Sequence, residues 1–163
     1  MLNKIIDRLY NMEEDNSPVR VEEINELGFA VRRSSDSLAA YGIALAGLGI
    51  VDVDGLYVPV IMVDYDFIEE LDRNTQMFLL YHEMGHYNLQ KDYILNGYTE
   101  REIRLEYEAD EYAAKIMGVE NAIKALEGAK RVIDEISFGT NTLGMEEIDI
   151  RIENLVNKFT ILN

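Results

Sequence analysis

Both histidines of this 163-residue chain lie in one pentapeptide, His82-Glu83-Met84-Gly85-His86, and no other feature of the sequence limits the fold as strongly. The apolar stretch Met77-Phe78-Leu79-Leu80-Tyr81 runs straight into it and reads as part of the same helix, with one side to bury. On a helix four residues advance about 400°, so the two imidazoles face the same way and can reach a single tetrahedral ion. Glu83 then stands beside them, near where a water on that ion would sit. Gly85 costs about 1 kcal/mol relative to alanine inside a helix, which implies close approach of a neighbouring element. Such a pentapeptide also arises by accident, so the reading requires a third ligand from elsewhere in the chain.

The segment from Thr99 supplies one. Thr99 and Glu102 have capping-box spacing and Gly118 has the place of a terminator, which predicts a helix over about 100–117. On it Ile103, Glu106, Asp110, Ala113 and Met117 recur at spacings of 3, 4, 3 and 4 and form the buried stripe. Glu108 and Glu111 point away from that stripe. A carboxylate on an apolar face costs several kcal/mol or takes up a proton, so Glu106 and Asp110 need positive charge nearby. An ion held with His82 and His86 would provide it. A buried ion pair with Lys130, Arg131 or Arg151 would provide it too, and for Asp110 a metal-free hydrogen bond between helices is a further alternative.

Composition narrows the partners. The chain holds 31 Asp and Glu against 15 Lys and Arg, a formal charge of −16, whereas nucleic acid and anionic membranes attract clustered basic residues. Neither is an expected partner, while a neutral or basic polypeptide is. The absence of cysteine excludes disulfides, thiolate metal sites and thiol nucleophiles together, leaving histidine and carboxylates as the strong ligands. The longest uncharged run, Leu38 to Val51, has 14 residues including three glycines, against about 20 for a spanning helix, so it reads as core. Met1 to Asn16 reads as an amphipathic N-terminal helix with Leu2, Ile5, Ile6, Leu9 and Met12 on one side. It lacks the pattern of a signal peptide, and a cytoplasmic location is the expectation.

Nearly half the residues are apolar and no linker or repeat divides them, so residues 1–163 are expected to form one domain around one core. Leu56 to Val63 is apolar and β-branched with Pro59 inside it, and proline cannot donate a ladder hydrogen bond. The strand is therefore expected at a sheet edge, where free backbone groups could pair with an extended peptide. After it the pattern turns helical, over about 74–90, 100–117, 120–137 and 146–159. The fold class expected is α+β, helix-dominated, with a small sheet ahead of the helix that carries the histidines.

The pentapeptide followed by Glu106-Tyr107-Glu108-Ala109-Asp110 resembles the gluzincin pattern of His-Glu-x-x-His and Glu-x-x-Ala-Asp. Within gluzincins, residues 106–118 and the amphipathic helix after them are most similar to the HtpX and CAAX prenyl protease type, and Arg151-Ile152 with Leu155 resembles its closing helix. The resemblance spans roughly residues 56–156 and implies a zincin-like core with one zinc ion per chain. It also implies Glu106 as third ligand beside His82 and His86, and Asp110 as the acceptor that orients a ligand histidine. Members of that type are usually embedded in the membrane and carry His-Pro ahead of the Arg-Ile step. This chain has Thr140 to Gly144 there and no spanning run, so substrate and membrane context are not implied.

The chemistry implied is peptide-bond hydrolysis, with zinc lowering the pKa of a water toward about 7 and Glu83 as the general base. Arg151, Tyr107 and Tyr98 are the candidate donors to the developing oxyanion. Arg151 has the resemblance behind it, and a structural salt bridge is its alternative. Two further readings remain. A regulatory peptidase of the ImmA/IrrE kind is similar in its motifs and would cleave one repressor, although such proteins generally show Met-Pro where this chain has Met117-Gly118. A zinc-stabilised binding module with a closed fourth position would bind metal and hydrolyse nothing.

Overall fold

Two runs of β-branched and apolar residues joined by Asp54-Gly55 build the largest part of the sheet. The computed structural model describes residues 13–14, 18–20, 22–24, 28–34, 46–64, 71–97 and 102–160. Its strands are β1 (Glu13–Glu14), β2 (Ala30–Ser34), β3 (Ala46–Val53) and β4 (Leu56–Asp64). They lie in the order β1-β2-β4-β3, with β1 parallel to β2, β2 parallel to β4, and β3 antiparallel to β4. The hairpin between β3 and β4 turns through Asp54 and Gly55 at φ 53° and 85°, a left-handed pair that matches the twist of the strands. Asp52 Oδ1 accepts from the Gly55 amide at 2.8 Å and closes the turn.

Leu56 to Val63 is thus a strand but not the sheet edge expected for it, because β2 and β3 flank it. The register shows how Pro59 is accommodated. β2 pairs only with Val60 to Asp64, whereas Pro59 faces Ile50 of β3, so one flank of β4 has no ladder to interrupt at the proline. Among the described residues, the edge strand on this side is β3. Of the uncharged run Leu38 to Val51, residues 46–51 lie in that strand and the remainder lies outside the described residues. Glu13 and Glu14 pair with Arg32 and Arg33, so the expected N-terminal helix does not continue to Asn16, and Met1 to Met12 lie outside the described residues.

The helices are α1 (Arg73–Leu95), α2 (Ile103–Met117), α3 (Val119–Ile136) and α4 (Thr142–Thr160), which makes the fold α+β. Asp72 opens α1 by accepting from the Thr75 amide at 2.8 Å, and Asn141 does the same for the Gly144 amide of α4 at 3.0 Å. The expected capping box does not open α2. Glu102 occupies the cap without a side-chain bond, and Thr99 lies outside the described residues. α4 starts four residues earlier than the apolar pattern predicts, since its first turn carries a 78% exposed Leu143 and shows no buried stripe.

α1 is the middle layer. On one side Met77 and Leu80 pack with Phe29, Val31, Ile61 and Val63 of the sheet region; on the other Phe78 packs with Ala113, Ala114, Ala122, Ala125, Leu126, Ile148 and Leu155 of the remaining helices. The alanines let α2 and α3 lie close to α1. No described helix is long and apolar enough to cross a membrane.

One charged side chain sits deep in the sheet. Arg32 of β2 is 1% exposed and donates to both carboxylate oxygens of Glu23 at 2.8 and 2.9 Å, to Val31 O at 2.9 Å and to Pro18 O at 2.8 Å. Hydrogen bonding to Arg32 outweighs burial and holds the Glu23 carboxyl down at about 2. A folded pKa below the ordinary 4.5 means that ionised Glu23 favours the folded state above pH 4.5, and that this contribution fades as pH falls toward 2. Arg32→Met would take from the buried Glu23 carboxylate its two strongest hydrogen bonds and leave it the Arg20 amide at 2.9 Å and the Arg20 guanidinium at 3.9 Å, and is expected to lower the unfolding free energy by about 3 kcal/mol at pH 7. Urea unfolding measures the loss, which should shrink as pH drops through the same window; a variant as stable as wild type at neutral pH would show that the pair does not hold this corner.

Candidate metal centre

His82, Glu83 and His86 sit on the part of α1 that α2 crosses, and the crossing is closest at Gly85. A Cβ at that position would come within 3.0 Å of Ala109 Cα and Tyr112 Cβ and 3.2 Å of Ala109 O. The close approach expected from a mid-helix glycine is therefore real, and it is made by α2. It brings Glu106 and Asp110, one turn apart on α2, opposite the two histidines.

His82 Nε2 lies 3.0 Å from His86 Nε2 and 3.3 Å from Glu106 Oε2, and His86 Nε2 lies 3.3 Å from Glu106 Oε1. The far sides of both rings are also engaged. His82 Nδ1 is 2.7 Å from Asp110 Oδ1, and His86 Nδ1 is 2.7 Å from Gln90 Oε1. With each Nδ1 donating outward, two imidazole lone pairs and a carboxylate converge on one point with no donor among them. Such a set demands a cation, and His82, His86 and Glu106 form a group that could hold a metal ion. Without one, a proton is the nearest substitute. Burial opposes protonation of His82, yet Asp110 and Glu106 outweigh it and push the imidazole up to about 10.

The carboxylates respond to the same field. Burial alone would raise the Glu106 carboxyl, but His82, His86 and Arg151 hold it well below the usual carboxylate range. Asp110, 0% exposed, is likewise raised by burial and brought down further by Arg151 and His82. Glu83 is buried, and desolvation pushes its carboxyl up against the pull of the histidines and Arg151.

Arg151 enters from α4. Its Nε and Nη2 donate to Asp110 Oδ2 and Oδ1, both at 2.7 Å, while Nη1 lies 3.6 Å from Glu106 Oε2 and 3.9 Å from Glu147 Oε1. The salt bridge considered for Arg151 is present, and it joins the guanidinium to the acids beside the histidines. Lys130 pairs instead with Asp149 at the surface. Of the other donors considered, Tyr107 is half-buried on α2 and Tyr98 lies outside the described residues. Along the predicted stripe Glu106, Asp110 and Ala113 are buried and Met117 half-buried, but Ile103 is 40% exposed because α2 begins there, short of its neighbours. Glu108 is half-buried and accepts from Arg104 at 2.8 Å and from Gln90 Nε2 at 3.1 Å, while Glu106 is the acid of this pair that meets the histidines. Gln90 was not anticipated; the signal for it is its place four residues after His86, continuing the spacing of the histidines.

No protein-family model matches the chain, and neither does any curated protein or solved structure. The class defined by fold and site together is an α+β domain with a candidate His-His-Glu metal centre at a helix crossing.

Two predictions follow from the crossing. Gly85→Ala should push α2 off α1 by a few tenths of an ångström, costing about 1–3 kcal/mol of stability and weakening metal binding; wild-type values for both in urea unfolding and chelator competition would show that the contact is slack. Glu106→Ala should lose metal affinity sharply while Glu108→Ala stays within about a few-fold of wild type, because only the first meets the histidines and Gln90 keeps its bond to Leu105 O when Glu108 is cut back. The same competition assay decides it, and the reverse order would displace Glu106 from the site.

Proposed function

We propose that the chain is a zinc-dependent metallopeptidase of the gluzincin type, with His82, His86 and Glu106 as ligands and Glu83 as general base. The observation that carries this reading is the convergence of two imidazoles and one carboxylate beside a buried glutamate, with 3.0 Å between His82 Nε2 and His86 Nε2 and 3.3 Å from each nitrogen to its own oxygen of Glu106. A tetrahedral zinc ion with bonds of about 2.0–2.1 Å has ligand atoms about 3.3–3.4 Å apart, close to the nitrogen-to-oxygen distances here, and two imidazoles with a carboxylate are a donor set that zinc accepts. Two imidazoles and one carboxylate also leave a fourth position, as catalytic sites of this kind do.

Zinc bound there would polarise a scissile carbonyl and acidify a water molecule. The rest falls to the chain's own residues. Glu83, adjacent in sequence to His82, takes a proton from the water and returns it to the leaving amine. Asp110 holds His82 by Nδ1, and Arg151 holds Asp110, which keeps the Nε2 lone pair aimed at the cluster. Among the described residues, the edge strand next to α1 is β3, and an extended peptide would add to that edge rather than to β4. The side chains of His86 and Glu106 keep 15% and 12% exposure while His82 has 6%, so access is from the His86 and Glu106 side. That opening favours an enzyme over a closed zinc-stabilised module.

Glu83→Gln is expected to keep one zinc per chain and the wild-type melting temperature while losing nearly all cleavage of a denatured peptide library, read by mass spectrometry. Zinc uptake by the wild type with no cuts in the library or in any folded protein would leave the closed binding module. Cuts confined to a single folded repressor would favour the regulatory peptidase. Full turnover by the variant would remove Glu83 from the mechanism.

A further inference from the structure

The row His82, His86 continues along α1 to Gln90, again four residues on. Gln90 is 6% exposed, and its backbone leaves the helical region at φ −131° and ψ 17°, bending α1 just beyond the second histidine. A buried amide and a break in helical regularity each cost free energy, and kinks have identifiable causes. The partners of the side chain supply the cause here. Oε1 is 2.7 Å from His86 Nδ1, and Nε2 donates to Leu105 O at 3.0 Å and to Glu108 Oε2 at 3.1 Å. Glu108 is in turn held by Arg104.

Both amide hydrogens are committed to acceptors on α2, so the oxygen and nitrogen of Gln90 cannot exchange places. His86 Nδ1 therefore meets an atom that only accepts, and a neutral His86 must carry its hydrogen on Nδ1 and present the Nε2 lone pair to the cluster. We infer that Gln90 is a positioning residue that fixes the tautomer and ring orientation of His86 and ties this ligand to α2 through Leu105 and Glu108. The inference rests on the metal reading above. An amide is the one uncharged side chain that accepts on one side and donates twice on the other. Leucine would fill the space and leave Nδ1 unpaired. Glutamate alone would accept from Nδ1 but face Glu108 as a like charge. Exchanging the two residues, Gln90→Glu with Glu108→Gln, restores the acceptor for His86 and a donor between positions 90 and 108.

The full chain, Gln90→Leu and the exchanged pair should be compared for zinc affinity by chelator competition and for the visible absorption of the cobalt(II)-loaded protein, which reports ligand geometry directly. Gln90→Leu is expected to weaken zinc about 10–100-fold and to shift the cobalt bands, while the exchanged pair recovers most of both. A merely structural Gln90 would lower the melting temperature of the metal-free protein and leave the cobalt spectrum unchanged. Wild-type zinc affinity and cobalt bands in Gln90→Leu would overturn the inference and leave the metal site standing. Should Gln90→Leu not fold, the exchanged pair decides alone: cobalt bands differing from wild type would count against the role. A wild-type chain that takes up neither ion overturns the metal reading and this inference with it.

Discussion

Asp110 is wholly buried on α2 and joins three helices through its two oxygens. It accepts from His82 of α1 at 2.7 Å and from two nitrogens of Arg151 of α4 at 2.7 Å each. Bonds of this length between opposite charges are about twice as strong as neutral ones, and their angular demands fix the rotation of each helix about its own axis. The arrangement is costly in isolation, because an ion taken out of water loses several kcal/mol of hydration. What it secures is position: with Asp110 in place, His82 presents Nε2 to Glu106, and Arg151 adds positive charge within 3.6 Å of the same carboxylate. Remove that acid and the ring of His82, the seat of Arg151 and the charge balance at Glu106 lose their reference together.

Apolar packing supplies the stability that such a site draws on. Phe78, Leu126 and Leu155 are among the largest fully buried side chains, each contributing about 1.5–3 kcal/mol, and the alanines at 109, 113, 114, 122 and 125 keep the helix axes close. The two kinds of residue interleave on α1. Met77 and Leu80 meet the sheet, Phe78 meets the helices, and the turns that follow carry His82, Glu83 and His86 between those layers. A rigid helix seated between two apolar layers holds ligand atoms more accurately than a loop would, which suits a site whose working distances differ by tenths of an ångström. Gly85 serves the same end, since a Cβ there would stand only 3.0 Å from Ala109 Cα of α2.

Positive charge is the scarce quantity here. Around the cluster three acids, Glu83, Glu106 and Asp110, face two imidazoles and one guanidinium, in a chain whose formal charge is −16. A divalent ion at the convergence point would displace the proton that His82 otherwise carries and relieve the repulsion between Glu83 and Glu106. A metal bound here would be coupled to folding, since these groups gather only when α1, α2 and α4 have docked.

Helical phase was legible in the amino-acid sequence because it depends on local geometry alone: spacings of four put His82 with His86 and Glu106 with Asp110, and the mid-helix Gly85 announced a neighbour before that neighbour was identified. The same local information placed β4 and the four long helices to within a few residues over most of their length, but not β1, β2 or β3, whose pairing is set by distant segments. It misplaced what depends on partners. Pro59 suggests an edge, yet β4 is flanked on both sides because β2 stops short of the proline, a fact of register between distant segments that pairs Ala30 with Val60 and Ser34 with Asp64. The opening of α2 at Ile103 was misread because capping-box spacing is a local pattern that tertiary packing can override. Arg151 could be named from sequence as a candidate for either the reaction or a salt bridge; only the docking of α4 settles where its donors go, since 41 residues separate it from Asp110. Gln90 required the tertiary structure most of all, because an amide gains meaning from the atoms around it: its oxygen meets His86 on its own helix, and its nitrogen meets Leu105 and Glu108 on another.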